Sequence, residues 1–290
     1  MIKYCAVLAM VLGSMVFCPL LLSAQAKVFA LCYHTFKGDP RIATDISQEE
    51  LRSHVRTLKE KGFTFVSFDD IRNNRVAGTK NILFTIDDGN VTAYRVYQEI
   101  LKPAGIKPLL AIYPNIIGKK KYVMNWDQLR ELSADGCECA AHGYYHLFVN
   151  QKLYDKDRQG FMKEIVLSKK ILGSKLGRPI DVFVYPFGVR SPITVETIRQ
   201  TGYRYAFTID WGEIAVGTQD TFELPRFMLT RNAWKGILNE ITALSGASTG
   251  TSRRGTTASG RPYQPLMYLG GIPEHLLTPS MELPSGRKER

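Results

Sequence analysis

Two short stretches of the chain carry residue types that can hold a metal ion and move a proton. In the first, the apolar run Asn81-Ile82-Leu83-Phe84 continues through Thr85 and Ile86 into Asp87-Asp88-Gly89. A buried strand that ends in two carboxylates must pair them or present them to a cation, because an isolated ionised carboxylate is costly to bury. Gly89 supplies the positive φ for a sharp turn at that point. The second stretch is Gly136–His146, where His142 and His146 stand four residues apart. On a helical turn such residues are neighbours on one face. Two imidazoles and a carboxylate make a Zn²⁺ site that keeps a fourth position open for water. A solvated Asp-Asp-Gly turn is common, and a lone histidine pair is often a surface feature. Both stretches at strand ends of one chain favour the metal.

The elements that position these residues read as repeated β/α units. Val28–His34 is an apolar strand ending in a histidine. Ser47 and Glu50 form a capping box, and Leu51, Val55 and Leu58 space a helix to Gly62. Phe63–Phe68 reads as a strand, and Asp69-Asp70, which lacks a following glycine, opens a short structural helix. Val91–Leu101, Asn125–Ala134, Asp157–Leu176, Ser191–Gln200 and Ala233–Leu244 read as helices. Lys107–Tyr113, Asp181–Tyr185, Arg204–Ile209 and Phe222–Leu229 read as strands. Strand, helix and strand at this spacing predict a parallel sheet, whose chemistry belongs at the carboxyl ends of its strands.

Residues 1–26 have a basic start at Lys3, an apolar centre and small residues at Ala24 and Ala26. This predicts a secretory signal peptide cut before Lys27. Phe17 before Cys18 argues against a lipid anchor, and no later stretch is apolar enough to span a bilayer. The mature chain is expected to be exported, to the periplasm, the cell surface or the medium. Of five cysteines, Cys32, Cys137 and Cys139 remain after such a cut, which is no disulfide framework. Cys137 and Cys139 read as small strand hydrophobes rather than thiol ligands. An apolar fraction of 44% over 290 residues suits one barrel domain at 27–244. Residues 245–290, rich in Ser, Thr, Gly, Arg and Pro, read as a disordered basic tail. The net charge of +11 suits acidic surface polymers or phospholipid head groups, and no nucleic-acid motif accompanies it.

In order along the chain, Thr85-Ile86-Asp87-Asp88-Gly89, His142…His146 and Tyr185-Pro186-Phe187-Gly188 resemble the three motifs of the polysaccharide deacetylases of the NodB-homology type, carbohydrate esterase family 4. Tyr33-His34 and Leu224-Pro225-Arg226 resemble the branch that de-N-acetylates poly-N-acetylglucosamine. The resemblance covers roughly Val28 to Arg231. It implies an α/β fold, a distorted (β/α)7-type barrel, with one divalent ion, Zn²⁺ being the expected one, held by Asp88, His142 and His146. It implies Asp87 as general base, the Phe187 backbone N–H as an oxyanion donor, and Tyr185, Pro186 and Phe187 as walls for the sugar.

Two positions and one missing segment depart from the family pattern. Gly143 replaces a Ser or Thr whose hydroxyl would brace the metal loop. Val184 stands where an arginine commonly orients the base, so Arg226 is the candidate substitute. No Leu-x-His segment supplies the general acid, which leaves His34 as the candidate, ahead of His275 in the tail. The function expected is amide hydrolysis on an exported N-acetylglucosamine polysaccharide by a monomer. Peptidoglycan is a neighbouring substrate, and a catalytically weak carbohydrate binder on the same barrel is the second class.

Overall fold

Side-chain alternation along the strands sorts the apolar residues into two layers. The computed structural model describes residues 25–217 and 219–247, so nearly all of the predicted signal segment and of the predicted tail lies outside the described residues. The strands are β1 (Lys27–Tyr33), β2 (Thr64–Phe65), β3 (Asn81–Asp87), β4 (Leu109–Ile112), β5 (Glu138–Ala141), β6 (Val182–Val184), β7 (Tyr205–Phe207), β8 (Ile214–Ala215) and β9 (Phe227–Met228). The α-helices are α1 (Gln48–Glu60), α2 (Phe68–Arg72), α3 (Val91–Val96), α4 (Trp126–Ala134), α5 (Gln151–Lys156), α6 (Arg158–Met162), α7 (Ser168–Leu176), α8 (Pro192–Gln200) and α9 (Trp234–Gly246).

The sheet runs β7-β6-β5-β4-β3-β1-β8, with β2 beside β3 and β9 beside β1. Every pairing is parallel except that of β1 with β8. Its two ends are joined by one segment. Leu224 bridges to Phe207 of β7, while Phe227 and Met228 pair with Leu31 and Cys32 of β1. The result is the distorted (β/α) barrel that the resemblance implies. Val28, Ala30, Leu83, Leu109, Ala111, Ala140, Val182, Val184 and Phe207 fill the interior. The intervening residues Phe29, Leu31, Tyr33, Ile82, Phe84 and Ile86 pack outward under the helices with Leu51, Val55 and Leu58 of α1.

The predicted capping box forms, and a second one accompanies it. Ser47 and Glu50 close a capping box on α1, and Ser67 with Asp70 closes another on α2, so the second Asp-Asp pair is structural. The strand expected at Phe63–Phe68 shrinks to two residues because Ser67 already caps α2. Phe222–Leu229 is likewise mostly irregular, since Pro225 has no N–H to give a ladder. The 157–176 helix is continuous but contains a π-helical turn, Lys163–Leu167. Helix α9 runs to Gly246, past the expected end at Leu244. Thr79 Oγ1 donates to the Ser245 carbonyl there, and Lys27 Nζ to those of Leu244 and Ala247. No helix among the described residues is long and apolar enough to cross a membrane.

One buried histidine sets a pH dependence. His54 of α1 is within 3.2 Å of the Tyr33 hydroxyl and stacks on Trp234 at 3.8 Å. Burial pushes it down to about 4, whereas an unfolded imidazole titrates near ~6.5. Between these values the unfolded chain takes up a proton that the folded one refuses. Stability is therefore complete above about pH 6.5 and falls as the pH drops towards 4, by about 3 kcal/mol at most. His54→Gln should flatten that limb of the Tm–pH profile. An unchanged limb would assign the pH dependence to other groups.

Candidate active site and metal centre

The interior parity of β1 and β3 carries Cys32, His34, Thr85 and Asp87 to the inside of the barrel. Asp87 ends β3, His34 follows β1 and His142 follows β5, so all three meet at the carboxyl rim. Beyond Asp87 the backbone turns through two left-handed residues, Asp88 at φ 74° and Gly89 at φ 73°. A Cβ at Gly89 would stand 3.0 Å from Ile117 Cδ1, so glycine satisfies both backbone and space there.

Asp88 Oδ1 lies 3.5 Å from His146 Nε2 and 3.8 Å from His142 Nε2, and the two Nε2 atoms are 3.1 Å apart. His142 and His146 do not sit on a helical turn, as their spacing suggested. They bracket an irregular loop in which Gly143 and His146 take φ of 75° and 65°. Two left-handed residues fold the loop back, and the rings converge at an edge-to-face angle.

Three observations show that these side chains fit a divalent ion. Asp88 Oδ1 is buried with no hydrogen-bond partner. His142 Nδ1 donates to the Val184 carbonyl at 2.8 Å, which leaves the Nε2 lone pair facing the cluster, as a second shell does for a metal-binding histidine. Burial, with His142 adding to it, pushes His146 down to about 4, and burial lowers His142 as well. Both rings are thus neutral, the form that binds metal. Asp88, His142 and His146 offer ligand atoms within 4.8 Å of one another.

Asp87 has a different setting. Arg226 donates Nη1 to Oδ1 at 2.8 Å and Nη2 to Oδ2 at 2.9 Å. Cys32 Sγ donates to Oδ2 at 3.4 Å. The guanidinium is 0% exposed and is itself held by the Thr208 carbonyl at 2.9 Å and Thr85 Oγ1 at 3.0 Å. It arrives on the segment that joins β7 to β1, between Leu224 and Phe227. Burial by itself would raise the Asp87 carboxyl. The Arg226 charge, then His142, and the Arg226 hydrogen bonds reverse this and hold it well below the usual aspartate range. Burial raises the Cys32 thiol despite the opposing Arg226 charge. His34 shares the Cys32–Asp87 corner within the same 4.8 Å limit, and its Nδ1 is buried without a partner.

The third motif divides. Tyr185, expected to wall the sugar site, belongs to the outer layer: it is 0% exposed and its hydroxyl donates to the Phe222 carbonyl at 3.0 Å. It is a core aromatic, because residues 183 and 185 have outward parity while 182 and 184 face in. Pro186 is buried against the histidine loop, with Cγ near Gly143. Phe187, at φ 58°, meets the His146 ring at 4.4 Å and is 36% exposed. Phe148, which the motifs did not mark, stacks on Phe187 at 4.2 Å and stands open to solvent. Its only sequence signal is an aromatic two residues past His146.

Glu164 also escaped the sequence reading. It is wholly buried, and its carboxylate accepts the backbone N–H groups of Tyr144, Tyr145 and Leu147. Burial raises its carboxyl, and the loop N–H groups pull it back. Cys137 and Cys139 are buried free thiols of the outer layer. A polar cavity of about 520 Å³, lined by Asp69, Lys107 and Glu138 among others, opens at the opposite end of the strands, away from this chemistry.

Parallel strands, clamped carboxylate and convergent histidines together place a candidate catalytic site at the carboxyl rim of the barrel. The polysaccharide deacetylase family profile matches residues 74–206. YxkH of Bacillus subtilis (strain 168), named as a polysaccharide deacetylase, is 24% identical over 191 residues, 64% of this chain and 66% of that protein. The match thus spans just under two thirds of that relative's length. The poly-beta-1,6-N-acetyl-D-glucosamine N-deacetylase of Staphylococcus aureus (strain MSSA476) is 20% identical over 205 residues, 67% of this chain and 70% of that one. The solved structure of IcaB from Ammonifex degensii shares the fold, with a TM-score of 0.65 at 24% identity over 78% of this chain and 98% of that one. Over residues 74–206, just under half of its length, the chain is thus similar to the polysaccharide deacetylases.

Proposed function

We propose that the protein removes N-acetyl groups from an exported, β-linked N-acetylglucosamine polysaccharide, using one divalent ion, Zn²⁺, held by Asp88, His142 and His146. The observation that carries this reading is the pairing of a fully buried, Arg226-clamped carboxylate with an Asp-His-His cluster on the same barrel rim. A pure sugar binder has no use for a buried ionised Asp87 beside such a cluster. When bound, the ion would polarise the acetamide carbonyl and lower the pKa of a water towards about 7.

The chain's own residues supply the rest. Asp87, kept ionised by Arg226, accepts the proton of the attacking water. Arg226 fixes both carboxylate oxygens, so that the base has one orientation. The Phe187 backbone N–H is assigned to the developing oxyanion, a role worth ~3–4 kcal/mol for one good donor. His34, with its unpartnered Nδ1, donates the proton that the departing amine requires. Phe187 and Phe148 give flat apolar faces beside His146, against which a pyranose ring can stack. Residues 1–26 carry the export signal, and the substrate is then met outside the cytoplasm.

Acetate release from a panel of β-1,6-linked N-acetylglucosamine oligomers, chitin oligomers and peptidoglycan tests the reading. Release from the first is the expected result. Release from peptidoglycan alone would move the assignment to that polymer, and binding without release would leave the carbohydrate-binding reading. Replacement of His34 separates its role from mere packing. An amine must be protonated to leave, whereas an aryl acetate departs as a phenolate. His34→Ala should therefore lose about 10²–10⁴-fold on an oligomer, far less on an activated aryl ester, and keep its metal content. Equal losses on both substrates would assign His34 to binding or folding.

A further inference from the structure

Glu164 sits in the π-helical turn Lys163–Leu167, is 0% exposed, and has no cationic partner among the described residues. Among the described residues its partners are backbone N–H groups. Oε2 accepts from Tyr144 at 3.0 Å and Leu147 at 3.1 Å, and Oε1 from Tyr145 at 2.9 Å. All three donors come from the stretch that runs from His142 to the residue after His146. A buried carboxylate is tolerated only when fully hydrogen-bonded, and charge-assisted bonds of this kind are roughly twice as strong as neutral ones.

The loop needs such a hold. It has no regular structure, and His146 keeps a left-handed backbone at φ 65°, a strain that persists only where the surroundings over-determine it. Gly143 completes the arrangement. A Cβ there would collide with Glu164 Oε2 and press on Pro186 Cγ at 3.3 Å. The side chain missing at 143 and the carboxylate supplied by 164 occupy the same space. The brace that a hydroxyl at 143 would give comes instead from a distant helix.

We propose that Glu164 is a positioning residue of the metal centre, that its carboxylate fixes the approach of His142 to His146, and that Gly143, which also meets the left-handed φ of 75° there, admits that carboxylate. The inference rests on reading Asp88, His142 and His146 as the metal ligands.

The test is the Zn²⁺ affinity of apo-protein, measured with Zn²⁺ alone against a chromophoric chelator, with the Tm of each apo-protein alongside. Glu164→Gln is nearly isosteric and keeps one acceptor oxygen, so it should fold and yet bind Zn²⁺ about 10-fold more weakly. Glu164→Ala should lose up to about 100-fold, the range seen when outer-shell partners of ligands are removed. Gly143→Ala should weaken binding in the wild-type background through both the collision with Glu164 and its left-handed backbone, and should cost clearly less when added to Glu164→Ala, because the collision is then gone and the backbone strain alone remains. Glu164 variants with a lowered apo Tm but wild-type Zn²⁺ affinity would overturn the proposal and leave Glu164 as a packing residue. Additive losses in the double variant would overturn the part assigned to Gly143. Wild-type protein that fails to bind Zn²⁺ would sink the metal reading itself, and the proposal with it.

Discussion

Asp87→Asn should retain its ion and lose about 10²–10⁴-fold in kcat, the scale of a general base. The amide cannot accept a proton from water, while Asp88, His142 and His146 are untouched. Metal content and turnover therefore separate in this variant, and His142→Ala or His146→Ala should lose both together. The amide also turns an N–H₂ towards one arm of a guanidinium that has no exposure to solvent. Some loss of stability will accompany the loss of rate, so kcat should be read well below the variant's own Tm. If Asp87→Asn emptied the site and Asp88→Asn left it full, the two carboxylates would have exchanged roles.

How much of this was legible in the sequence depends on where each contact partner lies along the chain. Asp87, Asp88, His142 and His146 sit in short motifs at strand ends, so residue type and local spacing brought them forward. The reason given for the histidines was nevertheless wrong. A helical i, i+4 relation would join two rings on a surface, whereas here left-handed backbone at Gly143 and His146 folds them inward. Glycine at 143 hinted at such a bend, but His146 did not.

Strand parity was the missed argument at Tyr185. Counting alternation from the interior residues Val182 and Val184 places Tyr185 outside before any contact is seen. Glu164 was illegible for another reason. One acid in a long helical stretch reads as a solvated side chain, and nothing local says that three N–H groups some twenty residues earlier await it. Arg226 stands 139 residues from Asp87, so only the resemblance pointed to it. The physical cause of its position is the closing segment, too irregular to read as a strand, which is shared between β7 and β1.

Arg226→Met should be among the most damaging single substitutions in the described chain. It removes both arms of the Asp87 clamp, the donor to the Thr208 carbonyl and the donor to Thr85 Oγ1. Removing one partner of a buried pair typically costs about 3–5 kcal/mol, because the other charge is left without compensation. For a domain of this size that corresponds to a Tm lower by about 10 °C. Activity falls with it by a separate route. Without the guanidinium, burial dominates and the Asp87 carboxyl rises, so the acid limb of kcat/KM should move to higher pH. Arg226→Lys keeps the charge but cannot fork onto both oxygens, and should recover stability more than rate. Asp87→Asn combined with Arg226→Met should be less damaging to stability than the two single losses summed, since neither charge is then stranded. Additive losses in that cycle, or Arg226→Met protein that melts and turns over as the wild type does, would show that the clamp does not hold the base.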